Sequence, residues 1–270
     1  MSDRIRIETV NAGSFSMDYF KFGQGKETLV ILPGISVQSV MLYAESIAGA
    51  YRMFADTHTV YVFDRRKELP ASYSAGDMAR DTAEVFQLLG LGNIRLFGTS
   101  QGGRIAMEIA VRHPEMIDKL VLASTSAYVD EAHYQTFEKW TALARAGKKA
   151  ELYLVFGEAV YPRDIFEQTR TLLTELSKEV TDEELARFIV MSEAMSSPDL
   201  SEDLKKISCP VLVTGSLDDK VLGGDASINI AKSLKEQKGV VLYMYNGYGH
   251  ASYDTAPDYK ERLLSFLTQS

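Results

Sequence analysis

Short β-rich apolar runs mark the first 124 residues and return after residue 207, and a long helix-forming stretch separates them. Ile94-Arg95-Leu96-Phe97, His58 to Phe63, Cys209 to Thr214 and Val240 to Tyr245 have the length and the β-branched and aromatic content of buried strands. The stretch from Gln101 to His113 carries its apolar residues at helical spacing. Between the strand ending near Ser124 and the one starting at Pro210 the pattern changes. Glu131 to Arg145, Lys148 to Val160, Arg163 to Lys178 and Asp182 to Met195 each repeat apolar residues every three or four positions. Thr181 and Glu184 form a capping-box signature for the last of them. This spacing predicts one domain, residues 1–126 with 208–270, interrupted by a helical cap over residues 127–207. Ser196-Ser197-Pro198-Asp199 is the turn cluster near the cap's exit, and no internal repeat or low-complexity segment interrupts the chain.

Composition narrows the function classes. With 270 residues and 46% apolar content the chain can bury a large core without disulfides. A net charge of −8 argues against a nucleic-acid partner or an anionic membrane surface, either of which calls for a basic patch. The amino terminus, Met1 to Glu8, mixes charges with apolar residues and lacks a continuous apolar core, and no later run reaches membrane-spanning length, so a cytoplasmic protein is expected. The single cysteine, Cys209, reads as a buried structural thiol, and no cysteine–histidine spacing would hold zinc.

The chemistry starts at Gly98-Thr99-Ser100-Gln101-Gly102-Gly103, between an apolar run and a helix. Glycines two positions before and after a serine suit a strand that turns sharply into a helix, because a side chain at either flank would meet neighbouring backbone. The serine oxygen is then held out of the turn, with the helix's first N–H groups and positive dipole end behind it. A serine nucleophile needs a base, and the chain offers four histidines. His58 stands at the entry of a strand, His113 ends a helix before Pro114, and His133 lies in a charged stretch. His250 follows the strand Val240–Tyr245 and the glycine-rich turn Asn246-Gly247-Tyr248-Gly249, where open α/β sheets carry their chemistry. It is the favoured base. The carboxylate that orients it is expected in the turn after the Cys209–Thr214 strand, which ends in Asp218-Asp219. Asp218 is the first choice and Asp219 the alternative.

The order Ser100, Asp218, His250 resembles that of the α/β-hydrolase family, and the resemblance extends over nearly the whole chain outside residues 127–207. Leu29-Val30-Ile31-Leu32-Pro33-Gly34-Ile35-Ser36 is similar to the family's strand and oxyanion loop. Val60 to Arg66 resembles the strand before its Asp-x-Arg-Gly turn, with Arg66 and Lys67 in place of smaller residues. Tyr73 to Leu91 resembles the helix before the elbow, and Leu120 to Ser124 the strand after it. Pro33 and Thr99 stand where the family often has histidine. The resemblance implies an α/β-hydrolase fold, a mostly parallel central sheet flanked by helices. It also implies an oxyanion hole made by the backbone N–H groups of Ile35 and Gln101.

A serine hydrolase is therefore expected, cleaving a small or medium apolar carboxylic ester or lactone through an acyl-enzyme, with no cofactor and no metal. Its partner would be that small molecule. Aromatic and methionine residues of the cap suggest an apolar pocket, with Met191 and Met195 as its adaptable lining. Two alternatives remain: the same triad cleaving carbon–carbon, amide or thioester bonds, and a ligand-sensing receptor of this fold.

Overall fold

The computed structural model describes residues 4–269. Its strands are β1 (Ile7–Asn11), β2 (Ser16–Phe22), β3 (Glu27–Leu32), β4 (His58–Arg66), β5 (Ile94–Thr99), β6 (Ile117–Ala123), β7 (Val211–Ser216) and β8 (Val240–Tyr245). They form one sheet in the order β1-β2-β4-β3-β5-β6-β7-β8. β2 runs antiparallel to both β1 and β4, and the ladder from β4 through β8 is parallel. The helices are α1 (Ala44–Ala50), α2 (Ala75–Leu88), α3 (Gln101–Arg112), α4 (Glu131–Arg145), α5 (Lys149–Val160), α6 (Arg163–Ser177), α7 (Asp182–Glu193), α8 (Ala226–Ser233), α9 (Ser252–Thr255) and α10 (Tyr259–Thr268).

The apolar runs form the central strands because helices cover both faces of the sheet. In β3, Val30 and Leu32 pack on the side of α2 and α3, with Met78, Phe86, Ile105 and Ile109. Leu29 and Ile31, one residue out of phase, pack on the other side with Ala44 and Ala48 of α1 and Leu263 and Phe266 of α10. Each such fully buried aliphatic contributes roughly 1.5–3 kcal/mol, so the pleat of one strand ties two layers together. α2 begins at a reciprocal capping box, Ser74 with Asp77. α1 and α8 are short, and neither shows a helical repeat strong enough to be read from the sequence.

The inserted helices α4–α7 lie between β6 and β7 as expected from the change in pattern. The last is shorter than the Asp182–Met195 expectation, ending at Glu193 with a 3₁₀ turn over Ala194–Ser196. Their own core is aromatic: Phe137 meets Trp140 edge-on at 5.2 Å, Trp140 lies 4.6 Å from Phe156, and Phe156 reaches Phe188. The chain leaves and re-enters the sheet through a neck where Leu200 N–H donates to Ala127 O at 3.0 Å. The Arg104 guanidinium of α3 donates to the carbonyls of Ala127 and Pro198 on either side of that neck. Among the described residues no helix is long and apolar enough to cross a membrane.

Candidate active site

Ser100 stands at the junction of β5 and α3 with φ 50° and ψ −120°, a conformation that L-residues rarely adopt and that costs on the order of 1–3 kcal/mol. The surroundings enforce it. A Cβ on Gly102 would lie 1.9 Å from the Leu32 carbonyl oxygen, and one on Gly98 would lie 2.4 Å from that of Gly102. The flanking glycines are there because strand and helix meet backbone to backbone. Ser100 N–H donates to Ala123 O at 2.9 Å and Ser100 O accepts from Thr125 Oγ1 at 2.7 Å, which pins the turn to the end of β6.

His250 follows Gly249, whose φ of +61° turns the chain after β8 back over the sheet. Its Nε2 lies 2.9 Å from Ser100 Oγ and its Nδ1 lies 2.8 Å from Asp219 Oδ2. All three residues are buried. The carboxylate accepts the Nδ1 proton, which leaves Nε2 free to accept the Ser100 hydroxyl proton.

Asp218, the first choice from the sequence, is not the residue against the imidazole. The turn after β7 closes with Asp219 N–H donating to Ser216 O at 3.2 Å, which sends Asp218 outward and Asp219 inward. Asp219 Oδ1 then accepts from the N–H groups of Val221 and Leu222 at 2.8 and 3.1 Å, and its Oδ2 is left for His250. Asp218 instead braces the histidine loop. It accepts from Ser216 Oγ at 2.6 Å, Gly247 N at 2.8 Å and Gly249 N at 3.1 Å. Burial alone would raise its carboxyl. Those hydrogen bonds outweigh burial and hold it below the usual carboxylate range.

The other histidines are elsewhere. His58 is buried, with Arg95 at 2.9 Å from its Nε2, and burial first and Arg95 second lower its pKa. His133 pairs with Asp130, which caps α4. His113 faces Glu115.

The loop after β3 passes so close to the nucleophile that a Cβ on Gly34 would lie 3.1 Å from Ser100 Cβ. Among the described residues, neither Ile35 N–H nor Gln101 N–H has an acceptor in the protein. Gln101 is the first residue of α3, so its N–H carries the positive end of the helix dipole. A single guanidinium holds both segments. Arg65 Nη2 donates to Pro33 O at 2.7 Å and to Gln101 Oε1 at 3.3 Å. Asp64 accepts from the Arg65 backbone N–H at 2.7 Å and from Ser39 Oγ at 2.5 Å, and it pairs with Arg187 of α7. Burial lowers the Arg65 guanidinium to about 10, so it stays charged at neutral pH. Nothing in the local pattern around Arg65 marks this network in the sequence.

A cavity of about 530 Å³ opens on Ser100 and His250. Its walls are the Pro33–Val40 loop, Trp140 of α4, Tyr153, Phe156 and Val160 of α5, and Thr169, Leu172, Leu173 and Leu176 of α6. Met191 and Met195, expected to line it, do not. Both are buried on the far side of the Gln101 side chain, whose Nε2 donates to Met191 O at 2.6 Å and lies 3.7 Å from Met195 Sδ. α7 packs on α4 and the elbow, while α5 and α6 hang over the opening.

Residues 28–257 match the family model described as alpha/beta hydrolase fold. The chain is 22% identical over 222 residues to 3-oxoadipate enol-lactonase 2 of Acinetobacter baylyi, covering 79% of this chain and 80% of the relative. It is 26% identical over 251 residues to a putative carbamate hydrolase, RutD, of Pseudomonas savastanoi pv. phaseolicola, covering 84% and 93%. Among solved structures it superposes with TM-score 0.86 on MGS-M2, an alpha/beta hydrolase from a Medee basin deep-sea metagenome library, at 21% identity over 97% of this chain and 98% of that one. A thermophilic esterase from Thermogutta terrifontis gives TM-score 0.78 at 18% identity, with 98% of both chains covered. At those identities the structural likeness speaks to the fold, and the family match agrees with it. The chain is a hydrolase that belongs to the α/β-hydrolase fold family.

Proposed function

We propose that this protein is a serine hydrolase that cleaves a small or medium, largely apolar carboxylic ester or lactone through an acyl-enzyme. The observation that carries the reading is the continuous hydrogen-bond chain from Ser100 Oγ through His250 to Asp219, beside two backbone N–H groups without acceptors and under one apolar cavity. Ser100 Oγ attacks the carbonyl carbon as its proton passes to His250 Nε2, and Asp219 stabilises the imidazolium through Nδ1–H. The N–H groups of Ile35 and Gln101 donate to the oxygen that becomes negative, in a buried site where such bonds count for more than in water. The proton on Nε2 then goes to the leaving alkoxide. Water repeats the sequence on the acyl-enzyme, releasing the acid and regenerating Ser100.

The cavity volume lies within the ordinary range of small-molecule sites, about 300–1,000 Å³. Its hydrocarbon and aromatic walls favour an ester or lactone over a multiply charged substrate. The relatives are named as an enol-lactonase, an esterase and putative carbamate hydrolases, names that all imply a carbonyl attached to a heteroatom, which supports acyl transfer to water.

The test is a fluorophosphonate reaction followed by a panel of chromogenic acyl esters, lactones and carbamates. One added mass on the peptide containing Ser100, with many turnovers per site on an ester or lactone, is the expected result. A single stoichiometric release without cycling would instead point to ligand sensing. Labelling that persists in Ser100→Ala would remove the nucleophile from the mechanism.

A further inference from the structure

Four residues beyond His250, Asp254 opens onto the same cavity. The residue keeps an exposed surface while bordering the cavity, and desolvation by the surrounding protein holds its carboxyl above the usual carboxylate range. Among the described residues no donor forms a hydrogen bond to this carboxyl and no cation is paired with it. Lys260 of α10 opposes the effect of burial from beyond ion-pair distance, its Nζ lying over the Tyr51 ring at 5.4 Å from the ring centre.

Three tyrosines line the cavity with Asp254: Tyr51 after α1, Tyr161 after α5 and Tyr253 of α9. Burial first and the Asp254 charge second raise all three phenols. The Tyr253 ring also meets the His250 ring edge-on at 6.5 Å, so this wall adjoins the base. A carboxyl without an ion-pair partner, sharing a cavity with tyrosine rings and with no other acidic side chain in its lining among the described residues, is the chemistry that captures an organic cation. The carboxylate supplies the charge and the ring faces supply cation–π attraction.

We propose that the cavity takes substrates carrying an ammonium group, seated on the Asp254 carboxylate among Tyr51, Tyr161 and Tyr253 while the ester carbonyl lies at Ser100. This rests on the ester-hydrolase reading for its catalytic half only. The ammonium site follows from Asp254 and its tyrosines alone.

Two measurements test it. In the first, butyltrimethylammonium is titrated calorimetrically into the wild-type protein, Asp254→Asn and Asp254→Glu. Binding that weakens at least tenfold in the isosteric Asp254→Asn and survives in Asp254→Glu is expected. No binding to the wild type, or equal binding to all three, overturns the proposal whether or not the protein cleaves esters. In the second, nitrophenyl esters of ω-amino acids with two to six methylenes are compared with their neutral ω-methyl isosteres. At one spacing the ratio of kcat/KM, cationic over neutral, should exceed ten and fall towards one in Asp254→Asn. A ratio that ignores Asp254 at every spacing overturns the proposal. Failure of both ester series with ammonium binding intact would instead remove the ester reading and leave the site standing.

Discussion

Asp219→Asn is the sharpest perturbation of the catalytic geometry, because the structure dictates which way the new amide must face. The Oδ1 position receives two backbone donors, Val221 N–H at 2.8 Å and Leu222 N–H at 3.1 Å. An asparagine there has to turn its carbonyl oxygen toward that pair, which directs its NH₂ at His250 Nδ1, 2.8 Å away in the native protein. The imidazole can accept from an NH₂ only in the tautomer that carries its proton on Nε2. That proton then points at Ser100 Oγ and blocks the transfer on which attack depends. The expected loss in kcat is about 10⁴-fold, equivalent to about 5.4 kcal/mol of transition-state stabilisation. The loop should survive, since both backbone bonds are retained. Asp218→Asn differs in kind. Its Oδ1 can keep Ser216 and Gly247, but an NH₂ then faces Gly249 N–H, and one bond of the histidine loop is lost. For an exposed carboxylate that costs about 1 kcal/mol and a rate loss of roughly tenfold or less. The assay is kcat on an activated ester, with fluorophosphonate labelling to count competent sites and thermal unfolding to check the fold. A larger loss in Asp218→Asn than in Asp219→Asn would refute the reasoning and return the acid to Asp218.

Four further outcomes follow from the same packing. Arg65→Met should lower kcat by roughly 10- to 100-fold with a smaller change in KM, read by steady-state kinetics, because the guanidinium ties together the two segments whose N–H groups are proposed to hold the oxyanion. Gly102→Ala should yield little folded protein, measured as soluble monomer and circular dichroism, since its Cβ would lie 1.9 Å from Leu32 O and neither backbone can yield. Met191→Ala should lower stability by about 2–5 kcal/mol in denaturant titration while leaving acyl chain-length preference unmoved, as expected of a side chain buried away from the cavity. Burial pushes the Cys209 thiol up to about 11, so at neutral pH it is protonated; iodoacetamide should modify it only after denaturation, and rapid native alkylation would contradict its burial.

The parts of this molecule legible in its sequence are those where local pattern and backbone geometry coincide. The central strands are apolar on both faces, so their runs stand out, and the glycines about Ser100 are demanded by backbone contacts that no side chain could replace. What could not be read depends on orientation. Asp218 and Asp219 are adjacent, and which one faces the imidazole is settled by one turn hydrogen bond after β7. Met191 and Met195 do share a helical face, but periodicity cannot say what that face meets, and here it meets the elbow. Asp254 lies in a short polar stretch whose four-residue helix has no repeat to display. Its place in the cavity comes from α1, α5 and α9 converging from three distant parts of the chain.

The inserted helices therefore act on the site by two separate routes. α5 and α6 form the roof of the cavity, and their side chains line it. α7 reaches no part of the cavity lining among the described residues, but it grips the machinery beneath. Met191 O accepts from the side-chain amide of Gln101, whose backbone N–H has no acceptor in the protein among the described residues, and Arg187 pairs with Asp64, which stands beside Arg65. Movement of α7 would thus be felt at the residue after the nucleophile and at Pro33 through one guanidinium. On the proposed mechanism, a substitution in the roof should change which substrate fits, whereas one in α7 should change how well any substrate reacts. Substrate range can then diverge among chains of this architecture through α5 and α6 while the chemistry beneath stays fixed.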